Sequence, residues 1–441
     1  MKKFAFIGAG SMVFTRNLVR DLLTFPAFAD AEIALLDIDD EKLEIAKQGV
    51  EKIIKNGGYP AHVLATKDRI EAIKDADGVL CTIAVGDFDT VNKDVDIPYK
   101  YGVDFCVGDT RGISGIFRAL RTWPVLLEIC RDMEKYCPNA VFLNYTNPMA
   151  ILCRAMQSET KLNVTGLCHS VQGTSEMLAR WIGADMNDVT YTCAGVNHQA
   201  FYIDYKVNGV DAYPAIKEAI KKPEIYNEEI VRNELLKHLG YYVTESSGHC
   251  SEYVPWFRKR QDLIDKFCAP GTGWNPGFHK MGRKDGEEIH PNWQQEFLAF
   301  ADDPKNLERG HEYAAYIFNA IFGDETPFEF NGNIRNFGII DNLPYGCCIE
   351  SPVWATKKGY EPVRVGKLPP ELAILISNTA QQEELAVEGM INGDASKIYQ
   401  ACYFDPVSAA KLSLEEIKAM VRELFEANKD YLGYFKSFDA E

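Results

Sequence analysis

No stretch of this 441-residue sequence approaches the roughly 18 uninterrupted apolar residues of a membrane-spanning helix. The six-residue apolar stretch after Met1-Lys2-Lys3 is also shorter than the apolar core of a secretory signal, so a cytoplasmic location is expected. Positive charge is scarce: 47 Lys and Arg stand against 64 Asp and Glu, a net charge of −17. Such a chain repels phosphate backbones and anionic lipid, and no basic cluster offsets the repulsion. Neither nucleic acid nor a membrane surface is therefore an expected partner. CxxC pairs are missing, and the 12 cysteines are scattered. Without a secretory signal they read as reduced thiols, mostly buried as small hydrophobes, and not as a disulfide framework. Repeats, low-complexity tracts and Gly/Ser linkers are absent too, so the parts of the chain are expected to pack tightly.

What is present can bury a large core: 46% apolar residues and 12% aromatics, over a length that allows two or three domains. The first half alternates apolar β-branched runs (Phe4–Ile7, Ile33–Leu36, Val79–Ile83, Val141–Leu143) with amphipathic segments such as Met12–Leu23, Asp40–Asn56 and Ile116–Tyr136. That βαβα pattern predicts a doubly wound parallel sheet of the Rossmann type. Val164–Leu167 and Val189–Cys193 are expected to extend it. After about residue 200 the texture changes to a hairpin at Asn208-Gly209, Trp/Gly/Pro-rich loops and a helical C-terminus. The predicted units are a nucleotide domain, 1–195, and an α+β substrate, metal and oligomerisation domain, 196–441.

Gly8-Ala9-Gly10-Ser11 follows the first strand and opens a segment free of proline until position 26. Two glycines permit a tight turn, and the helix behind it presents unpaired N–H groups to a pyrophosphate. The third glycine of the fingerprint is replaced by Val13. Asp37, at the end of the second strand, stands where a carboxylate accepts hydrogen bonds from an adenosine ribose and disfavours a 2′-phosphate, which points to NAD before NADP. The plainer reading is a sharp turn with Asp37 capping the next helix.

A second group gathers at strand ends. Cys168-His169-Ser170 follows Val164–Leu167, and Asn197-His198 follows another apolar run thirty residues on. Brought to one rim, Cys168 and His198 offer a thiolate and an imidazole to a divalent metal and leave positions open for substrate. The alternative is buried packing. Asn144 and Asn147, at a further strand end, offer amides to hydroxyls, although Asn-Pro is also an ordinary strand exit.

These blocks, with Gly195-Val196-Asn197-His198, together resemble glycoside hydrolase family 4. Glu245-Ser246-Ser247-Gly248-His249, Ser251–Phe257, Gly332–Asn336 and Asp341–Cys348 resemble its α-galactosidase branch. The resemblance implies a fold like lactate and malate dehydrogenases and a glycosidase dependent on NAD and Mn²⁺ or another divalent metal, outside the two-carboxylate scheme. It implies oxidation at C3 of the sugar by NAD⁺, deprotonation at C2, elimination of the glycosidic oxygen, addition of water and return of the hydride, with no net redox. It further implies Cys168 and His198 as metal ligands and Tyr253 as the C2 base, its pKa lowered by metal or cationic neighbours. His169 becomes the leaving-group acid or a sugar contact, Asn147 a sugar contact, and His249 a substrate contact or a structural rim residue. In the block Asp109–Gly115 a further Gly is expected at Ser114, which opens the question of sugar identity. Arg111 in that loop is a candidate partner for a substrate carboxylate. The order of expectation is α-galactoside first, then α-glucuronide or α-galacturonide, with α-glucoside also considered. Family analogy implies a homodimer or homotetramer. Two rivals are a hydroxy-acid dehydrogenase and a nucleotide-sensing protein without chemistry.

Overall fold

In a computed structural model, residues 1–11, 14–268 and 292–440 are described; Met12 and Val13, on which part of the fingerprint falls, lie outside them. Among these residues thirteen strands form one sheet. β1 (Lys3–Ile7), β2 (Glu32–Leu36), β3 (His62–Thr66), β4 (Gly78–Cys81), β5 (Val141–Asn144) and β6 (Asn163–Gly166) pair in parallel in the order β6-β5-β4-β1-β2-β3. This is the doubly wound order expected from the alternation. β1, β2, β4 and β5 are almost wholly buried because helices cover both faces, which is why they read as continuous apolar runs and do not alternate. Helices Phe14–Leu23, Asp40–Gly57 and Tyr313–Phe322 pack on one face. The other face carries Gly112–Tyr136 and Met149–Glu159 and, from the far end of the chain, Ala395–Tyr403 and Leu414–Ala427. The C-terminal helices are also pinned electrostatically: Arg121, buried, reaches Asp94 at 2.6 Å and hydrogen-bonds Asn428.

The remaining strands are β7 (Val189–Val196), β8 (Gln199–Val207), β9 (Val210–Asp211), β10 (Tyr242–Val243), β11 (Phe328–Arg335), β12 (Cys348–Thr356) and β13 (Gly359–Pro362). The expected hairpin at Asn208-Gly209 is present, both residues having positive φ (49° and 77°) as a type I′ turn needs. The expectation that Val189–Cys193 extends the parallel sheet is corrected. β7 pairs antiparallel with β8 through the two-residue turn Asn197-His198, and β11 and β12 lie between it and β6. A two-residue turn admits only antiparallel neighbours, so the turn chemistry overrides the βαβ rhythm. The two halves of the sheet are joined by single pairs, Gly166↔Asn333 and Glu350↔Gly195, in one row with Asn333↔Glu350. Cys168, two residues beyond the carboxyl end of parallel strand β6, and His198, in the antiparallel β7–β8 turn three residues beyond Gly195, converge at that joint. No helix among the described residues is long and apolar enough to cross a membrane.

Candidate active site

The glycine turn and the acidic residue predicted to serve a nucleotide meet directly. Gly8 adopts φ +84°, and a Cβ there would stand 3.0 Å from the Thr82 backbone. At Gly10 a Cβ would fall 2.6 Å from Lys42 Cβ and 2.9 Å from Asp37 Oδ2. The Gly10 N–H donates to Asp37 Oδ2 at 2.7 Å, which sets the carboxylate at the turn. Ser11 closes it, its N–H reaching Gly8 O at 3.1 Å. Lys42, pressed against Gly10, lines a cavity of about 500 Å³ with Ala84–Gly86 and Asp109. A tight glycine turn, an acidic side chain and an adjoining cleft of this size fit a dinucleotide.

A second cavity, about 340 Å³, opens beyond β6 and is lined by Phe14, Tyr145, Asn147, Cys168, His169 and Glu245 among others. At its floor Cys168 Sγ, a His198 ring nitrogen and a Glu245 oxygen lie within 4.8 Å of one another. Glu245 was not singled out as a ligand by the sequence. It leaves β10, a strand of two residues held to β8 by Tyr242↔Tyr202 and Val243↔Phe201, too short to carry a readable period. Sulfur, imidazole and carboxylate donors so disposed fit a divalent cation with room for substrate oxygens.

Burial drives the His198 imidazole down to about 4, leaving it neutral near pH 7, the form that ligates. Burial, with the charges of Glu245 and Glu350, pushes the Cys168 thiol up to about 12; a neighbouring divalent cation inverts that preference. His249 rises to about 9 because Glu252, 3.7 Å away, and the charges of Glu245 and Asp109 outweigh desolvation. Glu245 is held below the ordinary carboxylate range against the opposing effect of burial. With His198 neutral, the charges of His249 and Arg232 and the Ser246 N–H hold Glu245 there.

Tyr253 joins this group. Its hydroxyl lies 2.7 Å from His249 Nδ1 and 3.3 Å from His198 Nδ1, and the Arg111 guanidinium stands over its ring at 5.6 Å. Cationic neighbours are thus at hand, yet burial and the carboxylates Glu252, Asp109 and Glu245 push the phenol well above its ordinary value. The expected lowering is therefore not a property of the protein groups alone.

His169 stacks on Phe14 (ring centroids 5.3 Å apart) and pairs with Glu312 at 2.7 Å. Burial opposes its protonation, but the Glu312 hydrogen bond and charge raise its pKa overall. Glu312 was invisible in the sequence, lying 143 residues away. Asn147 Oδ1 is buried without a partner at the cavity edge. Asn144 is spent internally, its amide donating to Thr146 O at 2.9 Å. Arg111 lies outside the cavity lining: its Nε donates to Asn197 O at 3.0 Å and its Nη1 lies 2.7 Å from Glu383 Oε1, a charge contact without a well-aimed N–H. Ser114, found where a glycine was expected, is buried, donates to Asp94 O and lies outside the lining of the cavity that holds Cys168.

Compared with known proteins, the chain matches the family 4 glycosyl hydrolases over residues 3–184 and their C-terminal domain over 193–408. The chain belongs to glycosyl hydrolase family 4. It is 38% identical over 445 residues to an α-galactosidase of Bacillus subtilis, covering 99% of this chain and 100% of the relative. It is 35% identical to an α-galactosidase of Rhizobium meliloti, covering 99% and 91%. A 6-phospho-β-glucosidase of Thermotoga maritima, solved with manganese, NAD⁺ and glucose-6-phosphate, superposes with a TM-score of 0.79 at 23% identity, covering 97% and 99%. A malate dehydrogenase of Cryptosporidium parvum superposes at 0.50 and 13% identity, covering 88% and 99%. The family 4 fold of this chain is thus the dehydrogenase-like fold expected from its sequence.

Proposed function

We propose that this family 4 enzyme hydrolyses α-galactosides with NAD⁺ and a divalent cation, Mn²⁺ foremost, and without net redox. The observation that carries the reading is the Cys168/His198/Glu245 cluster at the floor of the sugar-sized cavity, with the Tyr253 hydroxyl 3.3 Å from His198. When bound, the two cofactors supply a hydride acceptor for C3 and charge stabilisation for the sugar oxygens. Gly8, Gly10, Ser11 and Asp37 hold the nucleotide, and Cys168, His198 and Glu245 the cation. Tyr253 oxygen takes the C2 proton, and His249 supplies the positive charge that its anionic form needs. His169, kept basic by Glu312, delivers a proton to the departing oxygen, and Asn147 Oδ1 accepts from a sugar hydroxyl. Residues 1–195 serve the nucleotide and residues 196–441 complete the sugar site.

A neutral sugar is favoured over a phosphorylated or acidic one by the cavity lining. Among the described residues its one guanidinium is Arg232, buried and committed to Glu229 at 3.1 Å, Thr174 at 2.7 Å and Thr244 O at 3.0 Å. The relatives' names favour the galactoside within that class. The reading includes a cytoplasmic homodimer or homotetramer with no nucleic-acid or membrane partner. Exposed Phe337, Tyr345 and Ile374 support self-association, and the charge of −17 supports the absence of nucleic acid.

The test is release of p-nitrophenol from the α-galactoside, with the α-glucoside, α-galacturonide and α-glucuronide in parallel, each with NAD⁺ and Mn²⁺ present or omitted. Cleavage of the galactoside that needs both cofactors is expected. Cleavage of only a uronide overturns the sugar assignment. A steady rise of NADH without cleavage restores the hydroxy-acid dehydrogenase reading.

A further inference from the structure

His198 has φ +62°, a left-handed conformation uncommon outside Gly and found there chiefly in Asn, Asp and His. It is the second residue of the two-residue turn between β7 and β8, flanked by the pair Val196↔Gln199. With positive φ at the second position only, this turn asks for Gly or Asn there and has a histidine instead. A conformation this unfavourable persists only where its surroundings over-determine it.

The surroundings are specific. The Asn197 carbonyl belongs to the peptide plane whose orientation is set by the φ of His198. That carbonyl accepts from Arg111 Nε at 3.0 Å and from Arg111 Nη2. Turning His198 to negative φ swings this plane and carries the oxygen away from the guanidinium. Arg111 is in turn fixed by Glu383, on helix Pro370–Asn392. One turn earlier on that helix, Thr379 donates to Gln199 Oε1 at 2.7 Å. The residues on both sides of His198 are therefore tied, directly or through Arg111, to one helix face.

We propose that Arg111, braced by Glu383, is a positioning residue that holds His198 in its left-handed turn and so keeps its ring turned towards Cys168 and Glu245. This replaces the expected role of Arg111 as partner of a substrate carboxylate. It rests on the reading of Cys168, His198 and Glu245 as metal ligands. Arg111 touches neither cation nor sugar; it acts through the backbone of the turn. A fork of two parallel donors on one carbonyl fixes a plane, which a single ammonium cannot do.

The test is Mn²⁺ binding to the NAD⁺-loaded full chain without sugar, read as free Mn²⁺ by electron paramagnetic resonance. Arg111→Met alone strands the buried Glu383 carboxylate, so the main variant is R111M/E383Q, and R111K, which keeps a cation for Glu383, is the second. Removing a group that orients a metal ligand typically weakens metal affinity about 10- to 100-fold. That loss is expected for the double variant, with a smaller loss in R111K and recovery of turnover at high Mn²⁺ in both. Binding within about twofold of the unaltered protein in either folded variant overturns the proposal. Absence of stoichiometric Mn²⁺ binding by the unaltered protein, or its survival in Cys168→Ser, overturns the ligand reading and the proposal with it. Loss of uronide affinity with unchanged Mn²⁺ affinity returns Arg111 to substrate recognition.

Discussion

Glu245→Gln separates a metal ligand from a structural carboxylate by the size of its effect with and without the cation. In the cation-free protein Glu245 lies beside other acidic groups, and its charge raises the pKa of both Cys168 and Glu350. Cys168 and Glu350 are themselves held neutral, so removing that charge mainly gives up the attraction to His249 and leaves a weaker bond from Ser246 N at 2.9 Å. Stability without metal is therefore expected to fall by only about 1–2 kcal/mol. With metal the balance differs. A cation present at 100 times its Kd stabilises the native state by about 2.7 kcal/mol through mass action. If loss of the carboxylate weakens affinity about 30-fold, the same concentration is only about threefold above Kd and the stabilisation falls to about 0.9 kcal/mol. The expected result is therefore a Mn²⁺-dependent gain in urea-unfolding free energy about 2 kcal/mol smaller in the variant than in the unaltered protein. An equal gain in both proteins would refute the assignment. So would a loss above about 3 kcal/mol without metal, the mark of a broken buried network.

Three further outcomes are expected. Glu252 accepts backbone N–H groups from Cys106 (2.7 Å), Val107 (3.0 Å) and Gly108 (3.1 Å) in a fully buried position, so Glu252→Gln, which turns an amide NH₂ towards donors, should cost about 3 kcal/mol or more in urea unfolding; a loss under 1 kcal/mol contradicts it. Burial raises the Asp405 carboxyl from 3.8 to about 6, with Ser408 bonds opposing. The folded state thus binds the extra proton, and this group's contribution falls as pH rises from about 4 to about 6, by ~3 kcal/mol in all. Asp405→Asn should gain on the unaltered protein over that interval, and parallel stability curves across it would rule the account out. Gly10→Ala should weaken NAD⁺ at least tenfold by equilibrium dialysis while leaving Mn²⁺ binding unchanged, since its Cβ would meet Lys42 Cβ at 2.6 Å; unaltered NAD⁺ affinity would show that the turn yields.

The parallel half of the fold was legible because buried parallel strands are short uninterrupted apolar runs and the helices between them are long and amphipathic. Helix Gly112–Tyr136, for example, begins only four residues before its predicted start at Ile116. The antiparallel half was not. β11 and β12 insert between strands more than a hundred residues earlier in the chain, and no local pattern encodes a single-pair joint such as Gly166↔Asn333. The same limit governs the site. Cys168 and His198, which the fold brings together, stood out because each is beside a recognisable strand and carries unusual chemistry. Glu245, Glu312, Glu350 and Glu383 are glutamates in an acidic chain, and their roles come from burial and from partners far away in sequence.

Those glutamates also explain why the site is built around charge it does not itself supply. Burial pushes Cys168 up to about 12, Glu350 up to about 8 and Tyr253 well above its ordinary value, so three groups that are anionic when deprotonated are held neutral. In the same place burial holds His198 neutral, its Nε2 3.3 Å from Glu245 and its Nδ1 3.3 Å from the Tyr253 hydroxyl. One cation answers part of this demand, His249, which faces Tyr253; Arg111 is spent on Glu383. Neither sits among the three donors of the Cys168/His198/Glu245 cluster. A pocket made only for packing would gain nothing from Glu245 at the cavity edge and would lose little by replacing it with an apolar residue. A pocket that accepts a divalent cation needs this surplus of lone-pair donors, because the energy spent in burying them is returned in full only when the positive charge arrives.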